Sequence, residues 1–153
     1  MNDISELLIS EAFKEDMPGK DITTDYLGVE NHEGQAFLVA KQNLVMSGAG
    51  LFERSFHYID KNIKLKWFFK DGDSIPNKSK VCELNGNLVS ILKAERTALN
   101  FLGKLSGIST LTKEFVAATG DSKTQILDTR KTQPLYRAPV SYTHLTLPTI
   151  CSV

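Results

Sequence analysis

The sequence predicts an α+β domain followed by the beginning of an α/β unit. Residues 36–90 contain several short strand-like segments around one amphipathic helix. Residues 88–105 carry the longest helical pattern of the chain. From residue 110 onward, a helical segment, a break and a short apolar strand at residues 126–127 follow one another. Alternation of helix and strand is typical of α/β domains.

Composition narrows the classes of function that the chain can have. The 153 residues include 18 Lys and Arg and 18 Asp and Glu, so no net charge attracts the chain to nucleic acid or to an anionic membrane. No apolar run is long enough to cross a bilayer, and the first residues lack a signal-peptide pattern. We therefore expect a cytoplasmic protein with no nucleic-acid or membrane partner.

Cysteines and histidines give no sign of a metal site. Cys82 and Cys151 have neither a disulfide framework nor the spacing of metal ligands. His32, His57 and His144 are scattered along the chain. We therefore predict no metal-ligating residue in this sequence.

The first half of the chain begins with a predicted helix at residues 3–13. Asp3 and Glu6 have the spacing of a capping box. Apolar residues recur there at helical spacing: Ile4, Leu7, Leu8 and Ala12. Strands are predicted at residues 36–41 and 44–47.

A glycine turn at residues 47–50 precedes a second predicted helix at residues 51–60. Such a turn can hold a phosphate at a helix N-terminus. This one lacks both the dinucleotide fingerprint and a following Lys-Ser/Thr pair. We therefore expect it to serve tight packing.

Residues 63–90 supply two further strands and two turns. Apolar and basic side chains alternate at residues 63–67, which predicts a half-buried strand. Residues 81–84 form the second strand, and residues 71–73 (Asp-Gly-Asp) form a turn. The Asn85-Gly86 pair predicts a hairpin.

The helix at residues 88–105 has a broad apolar arc opposite a polar face that includes Thr97. The arc consists of Leu88, Ile91, Leu92, Ala94, Ala98, Leu99, Phe101, Leu102 and Leu105. Glu95 projects into this arc, and a buried carboxylate needs a partner, so we expect it to be paired inside the fold. Arg96 lies at the edge of the arc, where it is either a surface cation or a ligand-binding residue. Ser106-Gly107 is predicted to end this helix, and Ser109 or Thr110 to cap the next one.

Residues 126–132 predict a short buried strand, whose apolar part is Ile126 and Leu127 and whose end carries the adjacent cations Arg130 and Lys131. Side chains alternate along a strand, so the two point in roughly opposite directions. Arginine offers a planar fork to a carboxylate, whereas lysine offers a point charge to a phosphate. The alternative is a solvated pair, but at the carboxyl end of a barrel strand such residues are typical of a binding site.

Three segments in order carry a resemblance to a known family: KAERTALNFL at residues 93–102, LSGIST at residues 105–110 and LDTRKT at residues 127–132. Together with DITT at residues 21–24 and KDGD at residues 70–73, they resemble nicotinate-nucleotide pyrophosphorylase, also called quinolinate phosphoribosyltransferase.

The resemblance implies a domain organisation and a reaction. It implies an α+β N-terminal sandwich domain at residues 1–108, followed by the first part of an α/β barrel at residues 109–137, assembled as a homodimer. The family joins quinolinate to phosphoribosyl pyrophosphate with decarboxylation. The products are nicotinate mononucleotide, pyrophosphate and CO2, in NAD biosynthesis. The resemblance also implies Mg²⁺, with ligands outside this sequence.

Roles for four residues follow from the same resemblance. Arg96 matches an arginine that reaches into the partner subunit's site to hold quinolinate. Thr129, Arg130 and Lys131 match residues that line the substrate pocket, with Arg130 and Lys131 as the catalytic cations. Clustered cations suit two anionic substrates, and the reaction needs no nucleophilic side chain.

Residues 138–153 depart from the family pattern. The segment PVSYTHLTLP at residues 139–148 looks like translated sequencing-adapter read-through, so we expect a foreign tail that packs on nothing. His144 is then not the family's histidine. A single strand cannot close a barrel, so we expect the chain to be truncated and inactive on its own.

Two alternative functions stay open. One is the relative encoded near molybdate transporters, against which the Glu-Arg-Thr-Ala-Leu-Asn run at residues 95–100 argues. The other is a non-catalytic dimerisation or carrier-like sandwich module. A carrier needs an exposed lysine at a hairpin tip, and the predicted Asn85-Gly86 tip has none.

Overall fold

The computed structural model describes residues 4–19, 32–120, 123–124, 126–127, 131 and 133–136, which contain three helices and five strands. The helices are α1 (Ile4–Asp16), α2 (Ala49–Ile59) and α3 (Leu88–Thr119). The strands are β1 (Glu33–Val39), β2 (Leu44–Val45), β3 (Lys64–Trp67), β4 (Ser74–Ile75) and β5 (Lys80–Asn87).

Strand β5 is the centre of a three-stranded antiparallel sheet in the order β1-β5-β3, while β2 pairs with β4. One face of the larger sheet packs with the three helices around the main apolar cluster, and a second, smaller cluster surrounds Met46 and Ile75. The alternation at residues 63–67 is confirmed, because Ile63 is buried whereas Lys64 and Lys66 are exposed. The predicted α+β class is thus confirmed.

Helix α3 is continuous where two helices were predicted. The helix runs through Ser106-Gly107 without ending there. The Ser106 hydroxyl bonds to the Ser47 backbone: it accepts from the Ser47 N–H and donates to the Ser47 carbonyl, both at 3.1 Å. Thr110 is likewise not a cap: its hydroxyl accepts from the Val45 N–H at 2.9 Å and donates to the Ser106 carbonyl. An exposed Gly107 costs a helix only about 1 kcal/mol, which this packing offsets.

The buried face of α3 is rotated from the predicted arc. Thr97 is buried and Glu95 is exposed, so the prediction of a paired interior Glu95 is wrong. Leu92 and Leu99 were counted in the arc, yet they are 42% and 39% exposed. The face that packs recurs at helical spacing with small residues among the large ones: Ile91, Ala94, Thr97, Ala98, Phe101, Leu102 and Leu105.

Asn85-Gly86 does not form a hairpin. Both residues lie inside β5, where they pair with Gln35 and Gly34 of β1. The chain then enters α3 rather than another strand, and the Asn87 side chain caps that helix by accepting from the Ser90 N–H at 3.0 Å. The lack of a lysine at Asn85-Gly86 is therefore no evidence against a carrier function.

The glycine turn before α2 serves packing, as predicted. Gly48 has a φ of 99°, and a Cβ at this position would lie 2.7 Å from a Leu105 methyl group. Asp71, in the confirmed turn at residues 71–73, accepts a hydrogen bond from the Ala49 N–H at 3.1 Å. The first turn of α2 is therefore stabilised by a side chain from another segment.

No described helix is both long and apolar enough to cross a membrane. The tail at residues 138–153 lies outside the described residues, so its predicted lack of packing stays a prediction.

Candidate functional site

Arg96 lies on the outer surface of α3, where its side chain is 66% exposed. Its Nη1 donates to Oδ1 of Asp16 at 3.0 Å, and the Asp16 side chain is only 20% exposed. Helix α1 packs into the core through Leu8, Ile9 and Phe13, and this packing brings its last residue beside α3. A cation and an acid that are 80 residues apart in sequence thus meet at the surface.

Arg96, Asn100 and Lys104 form one polar row on α3, because residues four apart share a helix face. All three are exposed. At a rise of about 1.5 Å per residue, the row is about 12 Å long between Arg96 and Lys104. Both cations at the ends of the row have described partners, Asp16 for Arg96 and Gln133 for Lys104.

The segment 133–136 packs against the far end of this row. The Lys104 ammonium lies 4.0 Å from the centroid of the Tyr136 ring and also donates to the Gln133 side chain. The Tyr136 ring in turn packs on Phe101, with 6.4 Å between centroids. Burial raises the pKa of the Tyr136 hydroxyl, and the Glu15 carboxylate adds to the rise, so the end of α1 lies nearby too. We call Asp16, Arg96, Lys104 and residues 133–136 the α1–α3 corner.

Of the predicted substrate-binding residues, Arg96 and Lys131 are described and both are exposed. Thr129 and Arg130 lie outside the described residues, so their predicted roles stay predictions. Lys131 is two residues before Gln133, which places their Cα atoms within about 7 Å of each other. Lys131 is therefore close along the chain to Gln133, which contacts Lys104 of α3.

The exposed cations Arg96 and Lys104 of α3 are able to bind anions, whereas the buried Cys82 thiol is not a reactive group. Burial raises the pKa of the Cys82 thiol to about 12, so this thiol stays protonated and is a poor nucleophile. No three His, Cys, Asp or Glu side chains within the described part of the chain lie close enough to hold a metal ion. These residues therefore do not fit the Mg²⁺ that the resemblance implies.

The comparison with protein families matches residues 21–106, more than half of the chain, to the family model described as "Quinolinate phosphoribosyl transferase, N-terminal domain". The chain belongs to the quinolinate phosphoribosyltransferase family. The matched range contains Arg96 and ends inside α3.

Individual relatives of this quinolinate phosphoribosyltransferase-family chain agree with that assignment. A probable nicotinate-nucleotide pyrophosphorylase (carboxylating) of Synechocystis is 38% identical over 128 residues, which are 84% of this chain and 43% of the relative. A quinolinate phosphoribosyltransferase (decarboxylating) of Nicotiana tabacum, named as mitochondrial, is 39% identical over 102 residues, 67% of this chain and 28% of the relative.

A solved structure of a family member has the same fold as this chain. The nicotinate-nucleotide pyrophosphorylase from Francisella tularensis superimposes with a TM-score of 0.86 at 36% identity, covering 94% of this chain and 50% of that one. The chain thus spans about half the length, or less, of the relatives it matches. The predicted fold class is confirmed for the family, and the predicted boundaries at residues 108 and 137 stay predictions.

Sequence reasoning missed Asp16 and the packing of residues 133–136. No local pattern links Asp16 to Arg96, since the contact depends on how α1 packs on α3. The fourfold spacing of Arg96, Asn100 and Lys104 was the available signal for an exposed polar row.

Proposed function

We propose that this chain is the N-terminal part of an enzyme that transfers a phosphoribosyl group from phosphoribosyl pyrophosphate to quinolinate. Decarboxylation follows, and the products are nicotinate mononucleotide, pyrophosphate and CO2, a step in NAD biosynthesis. The observation that carries the proposal is the match of residues 21–106 to the family's N-terminal domain. The chain spans about half the length of these relatives.

Arg96 is the proposed quinolinate-binding residue of this domain. Quinolinate carries two carboxylates, and the planar fork of a guanidinium binds a carboxylate through two parallel hydrogen bonds. The 66% exposure of its side chain leaves Arg96 accessible to a ligand on another subunit. We propose that it reaches the site of the partner subunit in a homodimer.

Thr129, Arg130 and Lys131 are proposed to line the substrate pocket from within the same subunit. Lys131 would hold a phosphate of the phosphoribosyl donor, and Arg130 a carboxylate of quinolinate. Fixed cations also stabilise the negative charge that builds up on the departing pyrophosphate and on the ring during decarboxylation. Catalysis then depends on positioning and electrostatics, and it needs no nucleophilic side chain.

The proposed Mg²⁺ and the proposed cellular location rest on the likeness to the family. Bound Mg²⁺ would neutralise phosphate charge on the donor, with ligands other than the described residues. The proposed location is the cytoplasm, although plant relatives are named as mitochondrial or chloroplastic.

The test needs an active protein, so residues 1–132 of this chain are joined to the remaining length of the Francisella tularensis enzyme. In this chimaera, Arg96→Lys keeps the charge but loses the two-point geometry. It should therefore weaken quinolinate binding about tenfold or more and leave binding of phosphoribosyl pyrophosphate nearly unchanged. Lys131→Ala should do the reverse. Each substrate is titrated separately by calorimetry.

Equal losses for both substrates in both variants would contradict these assignments. A chimaera that binds phosphoribosyl pyrophosphate but no quinolinate would instead favour the relative associated with molybdate transport. The carrier-like alternative has a separate check, because Lys78 is an exposed lysine in the turn before β5. Mass spectrometry of the protein from cells should find Lys78 unmodified if the enzyme assignment is correct.

A further inference from the structure

We propose that Asp16 is a positioning residue, which holds the Arg96 guanidinium in the orientation that receives a carboxylate of the dicarboxylate substrate. This inference rests on the proposed function, because it assumes that Arg96 binds quinolinate.

The two members of the ion pair differ in exposure. The Asp16 side chain is 20% exposed and the Arg96 side chain 66% exposed, so the acid is the anchored partner and the arginine extends from it into solvent. A free arginine side chain populates many rotamers, and a ligand that binds it must restrict them. A contact that already restricts Arg96 before binding lowers this cost.

The ion pair also leaves room for a ligand on the same guanidinium. The contact to Asp16 uses Nη1, at 3.0 Å from Oδ1. Arginine has five N–H donors, and the edge formed by Nε and Nη2 presents two of them in parallel to a carboxylate. Asp16 and a substrate carboxylate can therefore occupy different edges of Arg96 at the same time.

Helix stability does not explain why an acid lies at this position. Asp16 is the last residue of α1, where the helix dipole disfavours negative charge. The basic residue of that last turn, Lys14, pairs with Glu11. The described ion pair of Asp16 is the one to Arg96, on a different helix. The position thus fits a role towards Arg96 better than a role within α1.

The first test measures the positioning itself in the chain as it stands. NMR relaxation of the Arg96 Nε–H group reports how restricted the side chain is on the picosecond to nanosecond timescale. We expect Asp16→Ala to increase its motion and Asp16→Glu to restore most of the restriction. Glu15→Ala is the matched control, because it removes the same charge from the adjacent residue, and it should change nothing. Equal motion in the wild-type chain and Asp16→Ala would overturn the proposal.

The second test measures the consequence in the chimaera defined above. Asp16→Ala should raise KM for quinolinate about threefold to tenfold, the effect of one side chain that must be ordered on binding. KM for phosphoribosyl pyrophosphate and the urea midpoint of unfolding should stay unchanged, and Asp16→Glu should recover part of the loss.

Arg96→Ala separates the two possible failures. If it leaves the quinolinate KM unchanged, the proposed role of Arg96 itself is wrong. If Arg96→Ala raises this KM and Asp16→Ala does not, Arg96 binds quinolinate and only the positioning role of Asp16 is wrong. A rise in both KM values for Asp16→Ala would indicate general disruption and would likewise overturn the proposal.

Discussion

Gly48 connects the sheet segment at residues 44–47 to helix α2, and its backbone conformation requires glycine. Its φ of 99° is in a region that side chains with a Cβ rarely adopt, and the added Cβ would meet Leu105 at 2.7 Å. The residue therefore combines a backbone requirement with close packing against α3. Leu105, which Gly48 approaches closely, is on α3, the helix that also carries Arg96.

Gly48→Ala should lower the free energy of unfolding by about 1–3 kcal/mol, since it adds both backbone strain and a clash. Gly50→Ala is the control, because a Cβ there meets no atom within 4 Å and alanine favours a helix. Urea unfolding of the two variants measures the difference. Equal unfolding free energies for the two variants would show that the turn relaxes without cost.

At the scale of elements, α3 supplies hydrogen-bond partners to the segment that enters α2. The hydroxyl of Thr110 bonds to the Val45 backbone and that of Ser106 to the Ser47 backbone, whereas the Met46 backbone between them bonds to Asp73 and Gly72. Ser109 is equally buried, yet its hydroxyl has no hydrogen-bond partner among the described residues. The two serines thus differ in hydrogen bonding and not in burial.

The difference in hydrogen bonding between Ser106 and Ser109 can be tested by replacing each serine with alanine. Ser106→Ala should cost about 1–3 kcal/mol of unfolding free energy, because it leaves the Ser47 N–H and carbonyl buried and unsatisfied. Ser109→Ala removes a hydroxyl that makes no bond, so it should be neutral or slightly stabilising. Chemical denaturation measures the free energy of unfolding of both variants. A larger loss of this free energy for Ser109→Ala than for Ser106→Ala would contradict the described packing.

Local patterns predicted most of the elements but not the faces that they bury. The exceptions are the helix end at Ser106-Gly107, the hairpin at Asn85-Gly86 and the buried strand at residues 126–132. The described residues 126 and 127 are not in a strand, and Leu127 is 59% exposed. The alternation at residues 63–67 and the turn at residues 71–73 follow from the sequence, because period and turn chemistry act within a few residues. The arc of α3 was placed wrongly because Leu92 and Leu99 are apolar yet exposed. The same happened at α1, where Ile4 and Leu7 are exposed. Which apolar residues are covered depends on neighbouring elements that no local window contains.

For the whole molecule, the candidate site was predictable only in part. The cations Arg96 and Lys131 could be selected from their motifs, although their roles at a site stay predictions. The residues that surround these cations could not be predicted, since the Asp16–Arg96 contact and the packing of Tyr136 on Phe101 join residues far apart in sequence. The α1–α3 corner is therefore a product of tertiary packing, with Arg96 exposed at its surface.

The central claim is that this chain supplies the Arg96-bearing domain of a quinolinate phosphoribosyltransferase. The most direct measurement is formation of nicotinate mononucleotide from quinolinate and phosphoribosyl pyrophosphate by the chimaera, with and without Arg96→Ala. We predict a product-forming chimaera and a loss of about a hundredfold or more in kcat/KM for the variant, as for removal of one preorganised charge contact. A folded, dimeric chimaera that forms no product, or one whose rate does not depend on Arg96, would contradict the claim.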